Sequence, residues 1–246
     1  MVQYRAGEPC WVDLGTPDPS AAAEFYSGLF GWQVEGPDDD GYRLCRRGGH
    51  LVAALGPGTD AGAPYWTNNI AVADLDTTIQ AMVAAGGKLV AGPGTAGEAG
   101  HFAAGTDAEG TPLSLWQPGA HAGAELTGTA GTWTHTELVS AAPELAVDFY
   151  RTVFDWRDQH VPDAPTTSWT LAGHPVATLR PEPPGWPSAR SSLWIVYFAV
   201  PDIDTAVGQA ARLGAAPPVS LPGPEPAVLL ADNQGALFGL QAVRPP

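Results

Sequence analysis

The segment Trp11–Trp32 returns 124 residues later as His135–Trp156, and this repetition is the strongest constraint on what the chain can fold into. Seven of the 22 aligned positions are identical, among them Phe25-Tyr26 with Phe149-Tyr150 and Trp32 with Trp156. Asp13/Glu137, Thr16/Ser140 and Glu24/Asp148 are chemically matched. The same offset aligns Gly49-His50 with Gly173-His174 and Leu55 with Leu179, and an offset of 128 aligns Trp66 with Trp194, Asp74 with Asp202 and Gly86 with Gly214. Asp107-Ala-Glu-Gly110 matches Asp232-Asn-Gln-Gly235. Self-similarity at a fixed period marks a duplicated structural unit. The boundary falls near residues 118–130, which predicts modules over 1–122 and 130–246.

Each repeat reads the same way. A short strand (9–15, 133–139) precedes a helix with a proline in its first turn, Asp18-Pro19 in one repeat and Pro143-Glu144 in the other. Phe25, Leu29 and Trp32 recur at helical spacing, as do Phe149, Val153 and Trp156, giving each helix one apolar stripe. Two β-rich runs follow, 42–55 and 169–179, each broken at a Gly-His turn. A further strand (66–72, 194–200), an amphipathic helix ending at Gly86 or Gly214, and a last strand after the Asp-x-x-Gly turn complete the repeat. This pattern predicts an α+β chain with four strands and two helices per module, arranged as two curled mixed sheets forming a cleft.

Charge removes several classes of function. Lys+Arg 11 against Asp+Glu 26 leaves a formal net charge of −15. Nucleic acid and anionic lipid surfaces both require basic clusters, so neither is an expected partner. No apolar run approaches the roughly 18–20 residues of a membrane span. The opening Met1-Val2-Gln3-Tyr4-Arg5 lacks a signal core, and two cysteines, Cys10 and Cys45, make neither a disulfide scaffold nor a structural zinc site. A cytoplasmic protein is expected. A tandem chain supplies both cleft walls itself, which favours a monomer over a homodimer.

The hydrophobic-x-acid-Leu opening, the Pro/Asp turn, Phe-Tyr, and the Phe-Gly-Trp or Phe-Asp-Trp ending resemble a vicinal-oxygen-chelate module. So do the Asp-Leu-Asp or Asp-Ile-Asp helix start and the Asp-x-x-Gly-x-x-x-x-Leu ending. That superfamily includes glyoxalase I, extradiol dioxygenases, fosfomycin-resistance enzymes and bleomycin-binding proteins. The resemblance extends over nearly the whole chain, twice, and is greatest to two-module actinobacterial members loosely labelled hydroxylases or glyoxalase-like proteins. It implies βαβββ modules paired around a cleft, and usually one divalent metal held by first- and last-strand side chains. Mapped onto this chain, the first-strand ligand position is Trp11 or His135 and the last-strand position is Ser114 or Gly239. The additional dioxygenase histidine maps to Thr67 or Ile195. Metal sites of this kind use about three or four protein ligands. The ligand positions are therefore degenerate, no metal or other cofactor is expected, and a displaced site at His135, Glu137 and Asp13 is the remaining metal alternative.

His135 and Glu137 stand two residues apart on one strand and so share a face. One reading makes His135 a proton-transfer group assisted by Glu137 and by Asp13, the equivalent acid of the first repeat. The other makes His135 a remnant ligand, with both acids bonded to backbone amides or to an arginine such as Arg43 or Arg46. Trp11 puts a flat ring where an ion would sit, suited to stacking on an aromatic or cationic molecule. Asn69 and Tyr197 occupy equivalent third-strand positions and, with Ser114, Trp116 and the loop residue His101, are candidate ligand contacts. His50 and His174 fall in turns and Asp38-Asp39-Asp40 in a solvated loop. The Gly-rich stretch 92–105 lacks the partners of a phosphate cradle. Two functions are expected to compete. The first is metal-independent binding of a small aromatic or cationic molecule, in the manner of a resistance or natural-product-binding protein. The second is a lyase, isomerase, cyclase or hydroxylase of secondary metabolism using His135 and Glu137. A purely structural role stands third.

Overall fold

The computed structural model describes residues 3–58, 63–160, 165–186, 192–220 and 227–243. The first repeat folds in the order β1 (Pro9–Thr16), α1 (Pro19–Phe30), β2 (Gln33–Val34), β3 (Arg43–Arg47), β4 (His50–Pro57), β5 (Tyr65–Ala71), α2 (Leu75–Ala84), β6 (Lys88–Thr95), β7 (Gly100–Thr106) and β8 (Pro112–Pro118). The second repeats it as β9 (Trp133–Ser140), α3 (Pro143–Phe154), β10 (Arg157–His160), β11 (Thr167–Leu171), β12 (His174–Pro181), β13 (Leu193–Val200), α4 (Ile203–Arg212), β14 (Val219–Ser220), β15 (Ala227–Ala231) and β16 (Leu237–Ala242). Each repeat forms one eight-stranded mixed sheet, ordered β2-β3-β4-β1-β5-β8-β7-β6 and β10-β11-β12-β9-β13-β16-β15-β14. Every repeat is thus two successive βαβββ motifs, with parallel pairing of β1 with β4, β5 with β8, β9 with β12 and β13 with β16.

The expected four strands per repeat become eight. The largest gap in the sequence reading is the hairpin β6–β7. Its strands carry Gly92, Pro93, Gly94, Gly100 and Gly105, so the stretch reads as loop, although backbone pairing from Lys88–Thr106 to Thr95–His101 holds it as sheet. Two register shifts along β6 absorb the glycine and proline positions.

The helices begin and end where their residues direct. Asp18 caps α1 by accepting from Ser20 N and Ala21 N, and Gly31 at φ 68° ends it in the left-handed region that glycine adopts without a steric penalty. Asp74 and Asp202 cap α2 and α4 by accepting from Thr77 N and Thr205 N. Helix α3 has alanine, Ala142, at its cap, and its missing acceptor comes from elsewhere in the chain. Glu109 accepts from Ala142 N at 3.1 Å and from the hydroxyls of Ser140 and Ser192 at 2.5 Å each. Gln234, at the matching turn position of the second repeat, accepts from Asp18 N at 3.0 Å and Thr16 Oγ1 at 2.8 Å.

Long-range contacts gather the chain into two compact units that do not follow the repeats. One consists of Met1–Trp11, Asn68–Gly123 and Thr136–Trp194; the other of Val12–Thr67, Ala124–His135 and Ile195–Pro246. In the first unit α2 packs on α3, around a core that includes Ile70, Leu115, Phe149, Tyr150, Trp156, Trp169 and Trp194. Trp194 Nε1 donates to Tyr150 Oη at 2.9 Å, and Tyr150 donates to Asp107 Oδ2 at 3.2 Å. The second unit repeats the relay with Trp66, Tyr26 and Asp232 at 3.0 Å for each bond. In each Asp-x-x-Gly turn the other carboxylate oxygen accepts two backbone amides, Glu109 N and Thr111 N in one, Gln234 N and Ala236 N in the other. Burial without these bonds would leave costly unpaired polar groups, so the turn sequence and the helical tyrosine specify each other.

Candidate functional site

In the first unit, strands β5, β8, β7 and β6 present one face as two cross-strand rows. Asn69 stands opposite Ser114, Ser114 opposite Ala104, and Ala104 opposite Ala91. Beside it, Ala71 stands opposite Trp116, Trp116 opposite Phe102, and Phe102 opposite Gly94. The first row is small and ends in two polar side chains; the second carries two large rings. Asn69 Nδ2 donates to the Trp11 carbonyl at 3.4 Å, tying β1 to this face. The Trp11 ring meets His121 edge-on at 4.6 Å, and Trp116 meets the same imidazole at 5.7 Å. Trp116 Nε1 donates to the His121 carbonyl at 2.9 Å, which fixes the indole. Trp11 and Asn69 are buried, Ser114 and Trp116 half-buried, and Phe102 exposed.

His101 does not join this group. It lies on β7, not in a loop, and it pairs with Gln117, on the opposite side of the strand from Phe102 and Trp116. Phe102 was missed in the sequence because β7 was. The signal available was a lone large aromatic among glycines and alanines.

In the second unit, half-buried His135 faces Tyr197, with ring centroids 5.8 Å apart at 42°. Tyr197 pairs with Gly239 on β16. A β-carbon at Gly239 would stand 2.2 Å from Tyr197 Cδ1, so the phenol ring fills the space that a last-strand side chain would need. Gly239→Ala is expected to displace that ring and lower stability by about 1–3 kcal/mol in a denaturant titration. An unchanged midpoint would mean the ring moves freely.

Glu137 belongs to the first unit and is engaged. Arg180 Nε donates to Glu137 Oε1 at 2.8 Å, and Thr178 Oγ1 donates to Glu137 Oε2 at 3.1 Å. The arginine is therefore neither Arg43 nor Arg46. Arg43 donates to Ser20 Oγ, and Arg46 pairs with Glu35 at 2.5 Å. Asp13, half-buried on β1, stands opposite Ala54 of β4.

These features have close parallels. A family model described as a glyoxalase-like domain matches residues 11–116. "Putative glyoxylase CFP32" of Mycobacterium tuberculosis is 35% identical over 253 residues, which cover 97% of this chain and 95% of that protein. The chain belongs to the glyoxalase-like family of the vicinal-oxygen-chelate superfamily. Another member, "Anthracycline biosynthesis protein DnrV" of Streptomyces peucetius, is 33% identical over 267 residues, covering 99% of this chain and 96% of that protein. Among solved structures, the Mn(II)-bound glyoxalase from Novosphingobium aromaticivorans superposes with a TM-score of 0.65 at 17% identity, over 98% of this chain and 83% of that one. The 2,2',3-trihydroxybiphenyl 1,2-dioxygenase of Sphingomonas wittichii gives 0.65 at 15%, over 97% and 91%. The glyoxalase-like fold expected from the repeated motifs is thereby established. No helix among the described residues is long and apolar enough to cross a membrane.

The ligand positions expected from the superfamily resemblance fall on Trp11, Thr67 and Ser114 in one repeat and on His135, Ile195 and Gly239 in the other. Only one of these side chains is an imidazole and none is a carboxylate. An indole donates a proton and has no lone pair for a metal.

Proposed function

We propose that this protein binds a small, planar aromatic molecule without a metal ion, and that the ligand belongs to the polycyclic class handled in anthracycline biosynthesis. The observation that carries the reading is the placement of Trp11 and Trp116, each in ring contact with His121, beside Asn69 and Ser114. Rings of this kind stack on or pack against an aromatic ligand, while the amide and hydroxyl fix its polar edge. The kinship to an anthracycline biosynthesis protein supports the ligand class. A divalent centre does not fit the residues present: one histidine falls short of the usual ligand set, and Tyr197 occupies the place of the last-strand donor. The formal charge of −15 also suits a ligand bearing a cationic amino group. Glu137 is held by Arg180 and Thr178, which favours binding over acid–base catalysis by a His135/Glu137 pair.

Isothermal titration with an anthracycline carrying its amino sugar, and with the corresponding aglycone, tests the proposal. Micromolar or tighter binding, unchanged by excess EDTA, is expected. Tighter binding of the glycoside would assign part of the affinity to charge. Binding that disappears with EDTA and returns with one equivalent of a divalent ion would overturn the metal-free reading, and no binding of either compound would overturn the ligand class.

A further inference from the structure

The two cross-strand rows of the first unit point to how long the ligand is and which way it lies. We infer that a fused-ring ligand lies across the strands, over Ser114, Ala104 and Ala91, with its flank against Trp116 and Phe102 and its polar end at Asn69. This rests on the binding function proposed above and adds the ligand's size and orientation.

Three observations support it. The row Asn69, Ser114, Ala104, Ala91 spans three inter-strand spacings, roughly 14 Å, a length that accommodates three or four six-membered rings fused in line. Beyond Asn69 its side chains are no larger than a hydroxymethyl, while the neighbouring row carries the indole and the phenyl ring. The result is a floor beside an aromatic wall. The wall is also held in place. A β-carbon at Gly94 would stand 2.7 Å from Phe102 Cζ, and one at Gly100 would stand 2.8 Å from Trp116 Cζ2, so both rings lie low over glycine backbone. Phe102 remains 39% exposed. An aromatic ring held against its own sheet and open on its other side gains by covering that side with apolar surface.

The sequence row is interrupted nowhere by charge: Lys88 and Glu98 are the ionisable residues of β6 and of the turn after it, and neither is in the two rows. The edge away from Asn69 therefore suits the apolar end of the ligand.

The test compares a tetracyclic anthracycline aglycone with 2,3-dihydroxynaphthalene, a two-ring phenol, by isothermal titration on three full-length proteins. The wild-type chain is expected to bind the tetracycle at least tenfold more tightly than the two-ring compound. Ala104→Leu, which raises a branched side chain from the middle of the floor, is expected to weaken tetracycle binding more than tenfold without weakening the naphthalenediol. Phe102→Ala, at an exposed position, is expected to weaken the tetracycle about five- to tenfold and to leave thermal stability unchanged. Equal wild-type affinities for the two probes, or wild-type tetracycle affinity in both variants, would overturn the inference while leaving aromatic binding intact. Failure of the wild-type chain to bind either probe would instead remove the binding function and the inference with it.

Discussion

Arg180→Met is expected to lower the unfolding free energy by about 3–5 kcal/mol. The two side chains of the Arg180–Glu137 pair are 7% and 5% exposed, so removing the guanidinium strands a carboxylate that water cannot reach. Thr178 continues to donate to it, but a neutral hydroxyl does not replace a charge-assisted bond. The pair itself adds little net stability, because desolvating two charges offsets most of their attraction. Replacing both together, Arg180→Met with Glu137→Leu, is therefore expected to return the protein to within about 1–2 kcal/mol of wild type. Urea titrations of the two single variants and the double variant measure this directly. A neutral Arg180→Met would show that the carboxylate finds solvent or a second partner, and would restore Glu137 as an available acid.

The second large effect is a loss of stability as pH rises from about 4 to about 6. Burial pushes the Asp107 carboxyl from its ordinary 3.8 up to about 6, against the opposing pull of the Thr111 and Glu109 amides and the Tyr150 hydroxyl. Burial also raises Asp232, in the equivalent turn. In the window between 3.8 and about 6 the folded chain holds a proton on Asp107 that the unfolded chain has released. Stability is greatest below that window and falls as pH climbs through it. For Asp107 the full effect is on the order of 3 kcal/mol, of which about 1 kcal/mol is lost between pH 5 and pH 7.5. Asp232 acts in the same direction. Denaturant midpoints at pH 5 and 7.5 should therefore fall with pH, and Asp107→Asn should flatten the difference. A midpoint that rises over this interval would mean that the backbone amides and the tyrosine hold the carboxylate ionised.

Much of the fold was legible because its signals are local. The cap at Asp18, the helix starts at Asp74 and Asp202, the proline-started helices and the tryptophans recurring at matched positions all appear as read. What escaped depends on residues distant in sequence or on backbone pairing that composition conceals. The β6–β7 hairpin is held by its ladder despite glycine and proline, and with it went Phe102 and the true position of His101. The partner of Glu137 is Arg180, 43 residues away, and the corresponding residue of the first repeat is Gly56, so internal symmetry gave no hint of it. Placement was legible only in part: Asn69 stands opposite Ser114 and Ala71 opposite Trp116 on neighbouring strands, and Asn69 reaches β1 through the Trp11 carbonyl. That Tyr197 lies over Gly239 could not be read, since sequence alone does not reveal which ring covers which glycine.

The relays also bear on how such a chain arises. Asp107 of the first repeat satisfies Tyr150 of the second, and Asp232 of the second satisfies Tyr26 of the first. A lone repeat would hold a turn aspartate and a helical tyrosine that do not answer each other. Two identical single-repeat chains would meet both needs by reciprocal exchange, the arrangement of an isologous two-fold pair. Joining them end to end turns a concentration-dependent association into an intramolecular one, with effective concentrations on the millimolar scale. The gain is one of ancestry as much as of thermodynamics. Once the halves are covalently linked, each is free to diverge, and the aromatic face of one repeat and the ion pair of the other become possible without having to be copied.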